Sequence, residues 1–306
     1  MNGKVIKSTG SWYIVMDSEG NKYECRIKGK FRMKGLRTTN PIAVGDKVDF
    51  HLEPDQPTAL ITHLHERQNY IIRKSINQSH EAQILSANMD QALLLITLVQ
   101  PRTSLGFIDR YLVSAEAFHI PTVLIFNKFD LYSQENLADV REIENIYSHI
   151  GYLVLEVSVR SDTGLNELKN QLAGKTSLIS GHSGVGKSTL INYLVPGLGI
   201  KTADISDFSE KGTHTTTFAE MFELPMGGSI IDTPGIRELG VIGIEKETLS
   251  HYFPEMKAKI NLCRFHNCQH IHEPGCAIIS AVDLGEIEAS RYDSYRSMYL
   301  RQETRA

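Results

Sequence analysis

The chain has 306 residues, 41% of them hydrophobic, which is too long for one small domain and enough for two or three units that each bury a core. Its formal net charge of -4 excludes a globally cationic nucleic-acid binder, so charge has to be read segment by segment. The start, Met1-Asn2-Gly3-Lys4, leads directly into patterned sequence, which predicts neither a signal peptide nor a spanning helix and places the protein in the cytoplasm, with no membrane partner.

Residues 1–68 carry short β-type runs, Trp12 to Met16, Lys22 to Ile27 and Val44 to Phe50, separated by turn sequences such as Asp17-Ser18-Glu19-Gly20-Asn21. Several short strands without a helical pattern predict a small β-barrel, and the OB-fold, a frequent oligonucleotide binder, fits the size. Within this segment Lys22, Arg26, Lys28, Lys30, Arg32, Lys34 and Arg37 face a single acid, Glu24. Such a run can neutralise RNA phosphates in a salt-sensitive manner.

From 69 to 240 the texture changes to apolar runs alternating with helical stretches: Ala92 to Val99, Phe107 to Phe118, Thr122 to Phe126, Gln134 to Ile150, Leu153 to Val157 and Ser177 to Ser180. Apolar runs this short suit strands covered on both faces, so an α/β unit with a mainly parallel sheet is predicted. Phe218 to Leu224 and Ser229 to Asp232, around Pro225-Met226-Gly227-Gly228, read as an antiparallel hairpin.

Four motifs lie in this unit. Asn127-Lys128-Phe129-Asp130 follows a strand, and an aspartate there can accept hydrogen bonds from guanine N1–H and its exocyclic amine, whereas adenine presents a mismatched edge. Asn127 would support the loop and the base, and the Lys128 stem would lie along the base plane. Ser158, after another strand, stands where a backbone N–H to guanine O6 is supplied, although Val159 follows it where alanine is common. Gly181-His182-Ser183-Gly184-Val185-Gly186-Lys187-Ser188 sits between a strand and a helix, as a phosphate-binding loop must. Its backbone N–H groups would wrap phosphates, Lys187 would reach the β- and γ-phosphates, and the Ser188 hydroxyl would ligate Mg²⁺.

Asp232-Thr233-Pro234-Gly235 follows a strand in turn, so Asp232 would hold Mg²⁺ and the Gly235 N–H would approach the γ-phosphate. The polar stretch Lys211 to Thr217, between the phosphate-binding loop and Asp232, offers a hydroxyl of Thr215 or Thr216 for the Mg²⁺ shell. Ile236 occupies the position where many GTPases place a water-orienting glutamine, which makes His214 the in-chain candidate for that task. The guanine-reading motif precedes the phosphate loop, the reverse of the usual order, so the core is permuted.

Residues 241–306 hold a short helix, a Cys/His cluster and an amphipathic tail from Ala281 to Arg301. Cys263, Cys268, His270 and Cys276 follow C-x4-C-x-H-x5-C, a donor set for tetrahedral Zn²⁺. The spacing favours His270 only weakly over His266 and His272. A unit of this size has little apolar core, and a structural metal would supply the missing cohesion. Cys25 stands apart and reads as a small buried side chain.

Taken together, the motif order, the His-Thr-Thr-Thr loop, the strand-rich start and the cysteine spacing resemble the RsgA (YjeQ/YloQ) family of circularly permuted GTPases over essentially the whole chain. The resemblance implies an OB-fold, a permuted GTPase core and a small, mostly helical zinc domain. It implies a GTP hydrolase that binds the small ribosomal subunit and its rRNA late in maturation, is stimulated by that subunit and dissociates afterwards as GDP forms. It carries nucleotide contacts onto Asn127, Lys128, Asp130 and Gly181 to Thr189, zinc ligation onto Cys263, Cys268, His270 and Cys276, and a catalytic proposal onto His214. A monomer is expected.

Overall fold

A computed structural model of the chain describes residues 1–27, 41–54, 56–74, 82–200, 219–233 and 244–303. The basic residues Lys28 to Arg37, the loop residues His214, Thr215 and Thr216, and Gly235 with Ile236 lie outside the described residues.

Five strands form the N-terminal unit: β1 (Asn2–Ser8), β2 (Tyr13–Asp17), β3 (Lys22–Ile27), β4 (Lys47–Leu52) and β5 (Ala59–Leu64). They close in the order β1-β2-β3-β5-β4 and back to β1, with β3 and β5 parallel and the other pairs antiparallel. This is the predicted OB-like barrel. Alternate residues point inward, so Val5, Tyr13, Val15, Cys25, Val48, Phe50 and Ile61 fill the interior. Burial pushes the Cys25 thiol up to about 12, in keeping with a packing role. β4 begins later than the apolar run suggests because Gly45, with φ +94, makes a turn before it.

A hairpin follows, β6 (Tyr70–Lys74) with β7 (Ala82–Ala87), which the sequence pattern does not single out. It fastens the barrel to the core. Gly45 lies so close to the Ala87 carbonyl that any side chain there would overlap it, and Asn88 donates to Gly45 O at 3.0 Å.

The core contains β8 (Gln91–Ile96), α1 (Leu105–Ala117), β9 (Thr122–Phe126), α2 (Gln134–Ile150), β10 (Leu153–Glu156), α3 (Leu165–Leu172), β11 (Thr176–Ser180) and α4 (Lys187–Leu194), then β12 (Glu220–Glu223) and β13 (Ser229–Asp232). The strand order is β10-β9-β8-β11-β13-β12, parallel except for β12, which is the predicted hairpin partner of β13. Alternation divides the sheet cleanly. Leu94, Ile96, Leu124 and Phe126 pack under α1 and α2, while Leu93, Leu95, Val123 and Ile125 pack under α3 and α4. The helix ends follow local chemistry: Ser133 forms a reciprocal capping box with Asn136 at the start of α2, and Gly151, with φ +107, ends it.

The barrel and the core share one sheet, which separate units would not require. β12 pairs with β1 through Lys7 opposite Glu220, whose side chains form a 3.0 Å ion pair.

The C-terminal region has two consecutive short helical segments, Lys246–Tyr252 and α5 (Pro254–Lys257), the cysteine loop, α6 (Ala277–Asp283) and α7 (Ala289–Glu303). The amphipathic tail read from Ala281 to Arg301 falls on the end of α6 and on α7, which are separated where Gly285, with φ +73, turns the chain. Leu249, Phe253, Met256, Ile278, Tyr295 and Met298 form a separate core here. Among the described residues no helix is long and apolar enough to cross a membrane.

Candidate nucleotide and metal sites

All five parallel strands end on one edge of the sheet, and the chain reverses its direction of travel across the sheet between β8 and β11. That is where an open α/β sheet forms a ligand crevice. The permutation leaves this geometry intact. β11, which leads to Gly181, lies between β8 and β13, and β9, which leads to Asn127, is one strand further on.

Asn127 joins the two motifs. Its Nδ2 donates to Val185 O at 2.7 Å from a side chain that is almost fully buried. Its own carbonyl accepts from Tyr132 Oη at 3.1 Å, and that hydroxyl accepts from Leu98 N at 3.2 Å. Lys128 takes a left-handed backbone, φ +57, which sends its stem across the crevice so that Nζ reaches Gln100 O at 2.9 Å. Burial pulls the Lys128 ammonium down, and Asp130 opposes this. Phe129 opens a one-turn helix, Phe129–Leu131, and Asp130 is exposed.

The phosphate loop needs its glycines. Gly181, Gly184 and Gly186 have φ of +142, +83 and +98, and a side chain at Gly186 would overlap Asn127 Nδ2. Gly186→Ala is therefore expected to cost about 1–3 kcal/mol in backbone strain and to break the Asn127–Val185 bond. Calorimetric titration with GDP should show affinity lower by tenfold or more. The ring of His182 lies 3.8 Å, centroid to centroid, from Phe107 of α1. Lys187 opens α4, and its Nζ donates to Gly181 O and His182 O, each at 2.7 Å. Ser188 and Thr189 follow in the first turn, where N–H groups and the helix dipole favour an anion. Ser183 is exposed, and Val185 anchors the loop in the core.

Asp232 ends β13 and is 7% exposed. Burial raises its carboxyl and Lys187 acts in the opposite direction, which puts carboxylate and ammonium in one electrostatic field. The Asp232 carboxylate and the Ser188 hydroxyl are both hard oxygen donors, the type that Mg²⁺ takes.

Ser158 departs from expectation. Its N–H donates to Thr163 O at 3.1 Å and is therefore not free for a base. Its hydroxyl instead donates to Asp130 Oδ1 at 2.6 Å and accepts from Ser161 N at 3.2 Å, so it holds the aspartate in place. A serine two residues past a strand is a weak sequence signal for that task, and Tyr132 and Gln100 leave no signal at all.

In the C-terminal region one donor atom from each of Cys263, Cys268, His270 and Cys276 lies within 4.8 Å of the others. Cys263 Sγ and Cys276 Sγ are 4.0 Å apart, and His270 Nδ1 is 3.6 and 3.4 Å from them. A tetrahedral zinc with bonds of about 2.3 Å to sulfur needs sulfur–sulfur edges of about 3.8 Å. The set fits that ion, and the histidine is His270. Burial lowers the His270 imidazolium and so favours the neutral ring that a ligand needs. Burial also pushes the Cys268 thiol up to about 12, with Cys276 and Cys263 adding to the effect, a repulsion that a cation would remove. Glu273 organises the loop by accepting from the N–H groups of Gln269, Ile271 and His272, at 2.8, 2.9 and 3.1 Å.

Comparison with known proteins agrees with this geometry. The family model described as RsgA GTPase matches residues 64–242, and the RsgA N-terminal domain matches residues 2–60. A small ribosomal subunit biogenesis GTPase RsgA from Christiangramia forsetii is 51% identical over 297 residues, which cover 96% of this chain and 94% of that one. RsgA 2 from Bacteroides thetaiotaomicron is 50% identical over 298 residues, covering 97% and 96%. Among solved structures, YjeQ from Thermotoga maritima superposes with a TM-score of 0.79 at 37% identity, covering 98% of this chain and 97% of that one. YloQ, described as a circularly permuted GTPase, gives 0.76 at 31% identity, covering 100% and 96%. With both motifs at one crevice and relatives matched along nearly its full length, the chain belongs to the RsgA family of circularly permuted GTPases and is a GTP hydrolase acting in ribosome biogenesis.

Proposed function

We propose that this GTPase binds the small ribosomal subunit late in its maturation, hydrolyses GTP to GDP and phosphate when the subunit stimulates it, and then dissociates. The observation that carries the reading is the Asn127–Val185 bond. It joins the guanine-reading loop to the phosphate loop at the end of a sheet continuous with a barrel of an oligonucleotide-binding type. The relatives' names supply the partner.

In this reading Asp130, held by Ser158, reads guanine, and the Val159 N–H takes over as backbone donor to O6. Phe129 and Lys128 flank the base. The loop from Gly181 to Thr189 wraps the phosphates, and Lys187 trades its two loop carbonyls for phosphate oxygens. Ser188 and Asp232, with Thr215 or Thr216, would hold Mg²⁺, which would supply neutralisation of the charge developing on the phosphates. Gly235 approaches the γ-phosphate. His214 orients the attacking water, since Ile236 cannot. Cys263, Cys268, His270 and Cys276 hold one structural zinc. The units are 1–68, 69–240 and 241–306, and the protein acts as a cytoplasmic monomer.

The barrel and its cationic segment contact rRNA. Arg26 contributes less than its charge suggests, because Glu53 takes its guanidinium in a two-point fork at 3.1 and 2.7 Å. Asp130→Asn should turn the preference from guanine toward xanthine nucleotides by up to about 10⁴-fold, read by competition binding. Unaltered GTP preference would remove Asp130 from the base site. For the function as a whole, GTP turnover is measured with added small or large ribosomal subunits. Small subunits should raise it manyfold and large subunits should not; equal effects would refute the reading.

A further inference from the structure

Helix α1 presents two faces to two different neighbours. Phe107 and Tyr111, four residues apart, share one face. Phe107 stacks on His182 of the phosphate loop, and Tyr111 donates to Oγ of Ser180, the residue before that loop, at 2.9 Å. Asp109 lies two residues from each, roughly 200° around the helix. There its Oδ1 accepts from Arg291 of α7 at 2.6 Å and from Tyr147 of α2 at 2.7 Å. Val113, one turn further along that face, is packed in the C-terminal core beside Leu249 and Phe253.

Arg291 divides its fork between the two regions. Nε and one terminal nitrogen hold Glu255 of α5 at 2.7 and 3.2 Å, while the other terminal nitrogen holds Asp109. The guanidinium sits 4.7 Å over the Phe253 ring, and the side chains of Arg291 and Asp109 are each 1% exposed. Both donors to Asp109 crowd onto Oδ1, and its buried Oδ2 has no hydrogen-bond partner among the described residues. A buried carboxylate oxygen left unpaired is costly. The unpaired oxygen offers Arg291 a second bonding set, in which it would pair both Asp109 oxygens and loosen its grip on Glu255. Packed interfaces with two discrete bonding sets switch between them instead of deforming smoothly.

We propose that α1 carries the state of the phosphate loop to the C-terminal region, with Arg291 as the positioning residue that sets how that region sits. Nucleotide draws Lys187 away from the Gly181 and His182 carbonyls, the His182–Phe107 stack moves α1, and Asp109 redistributes the Arg291 fork. This route is separate from the covalent path between Asp232 and the metal loop. It rests on the GTPase reading and concerns the regulation of that site.

The test is hydrogen exchange on the zinc-loaded full chain without ribosomal subunits, in GDP and in a non-hydrolysable GTP analogue. In the wild type, α7 and residues 246–257 should differ in exchange rate by about tenfold between the two nucleotides. Arg291→Lys keeps the charge but loses the fork, and should abolish that difference while the phosphate loop keeps its nucleotide-dependent protection. Glu255→Gln supplies the same readout where Arg291→Lys fails to fold. The proposal is overturned when wild-type α7 exchanges alike in both nucleotides, when the difference survives in the folded variants, or when the phosphate loop loses protection along with α7. Because no ribosomal subunit is present, this result is independent of subunit-stimulated turnover, and either can fail while the other stands.

Discussion

Removing the zinc proposed for Cys263, Cys268, His270 and Cys276 is expected to unfold the cysteine loop and release α7, while the nucleotide core stays folded. The loop from 263 to 276 contains neither helix nor strand and gains its shape from the four donors and from Glu273. Structural zinc in such small sites supplies about 10–16 kcal/mol of folding free energy. α7 depends on the loop directly, since Tyr292 and Tyr295 donate their hydroxyls to His270 O and Gln269 O, each at 2.7 Å. The core draws on other contacts, the clusters under α1 to α4. Chelation or Cys276→Ser should therefore split thermal unfolding into two transitions, the first at lower temperature and confined to residues 244–303, with GDP binding retained. A single, unshifted transition after verified metal loss would contradict this assignment.

Lys187→Ala should lower GTP turnover by about 10²–10³-fold, the size expected when one preorganised group is removed from developing charge. The fold should tolerate the change. In the structure described here the Lys187 ammonium bonds to Gly181 O and His182 O, carbonyls in the loop that water can reach after truncation. The loss of charge should appear in single-turnover kinetics and in weaker GTP affinity, with thermal stability altered by no more than about 1 kcal/mol. A variant retaining more than a tenth of wild-type turnover would remove Lys187 from its role.

What could be read in the sequence was local chemistry tied to strand ends. Asn127, Gly181 and Asp232 each follow a short apolar run, and each run is a strand whose end opens on the crevice. The inverted motif order was legible for the same reason, because a sheet records which strands are neighbours and not which came first. The cysteine spacing was equally direct, although spacing alone favoured His270 only weakly over His266 and His272, and the resemblance and then the geometry selected it. Long-range pairings left no such mark. The Arg291–Asp109 bond spans 182 positions, and the Lys7–Glu220 pair that merges barrel and core spans 213. The hairpin of β6 and β7 was hidden because its role is to bridge two units, and the break at Gly285 because α6 and α7 together still look like one amphipathic run. Ser158 shows the limit within the site. Its position after a strand was visible, but whether its N–H or its hydroxyl does the work depended on Thr163 accepting the N–H.

In the proposed function, nucleotide state governs the grip of this protein on the small ribosomal subunit. The most direct test is the affinity of the zinc-loaded chain for purified small subunits in the GTP-analogue and GDP states at fixed salt. Binding should be at least about tenfold tighter with the analogue, a coupling of roughly 1.4 kcal/mol. Equal affinity in the two states would contradict it.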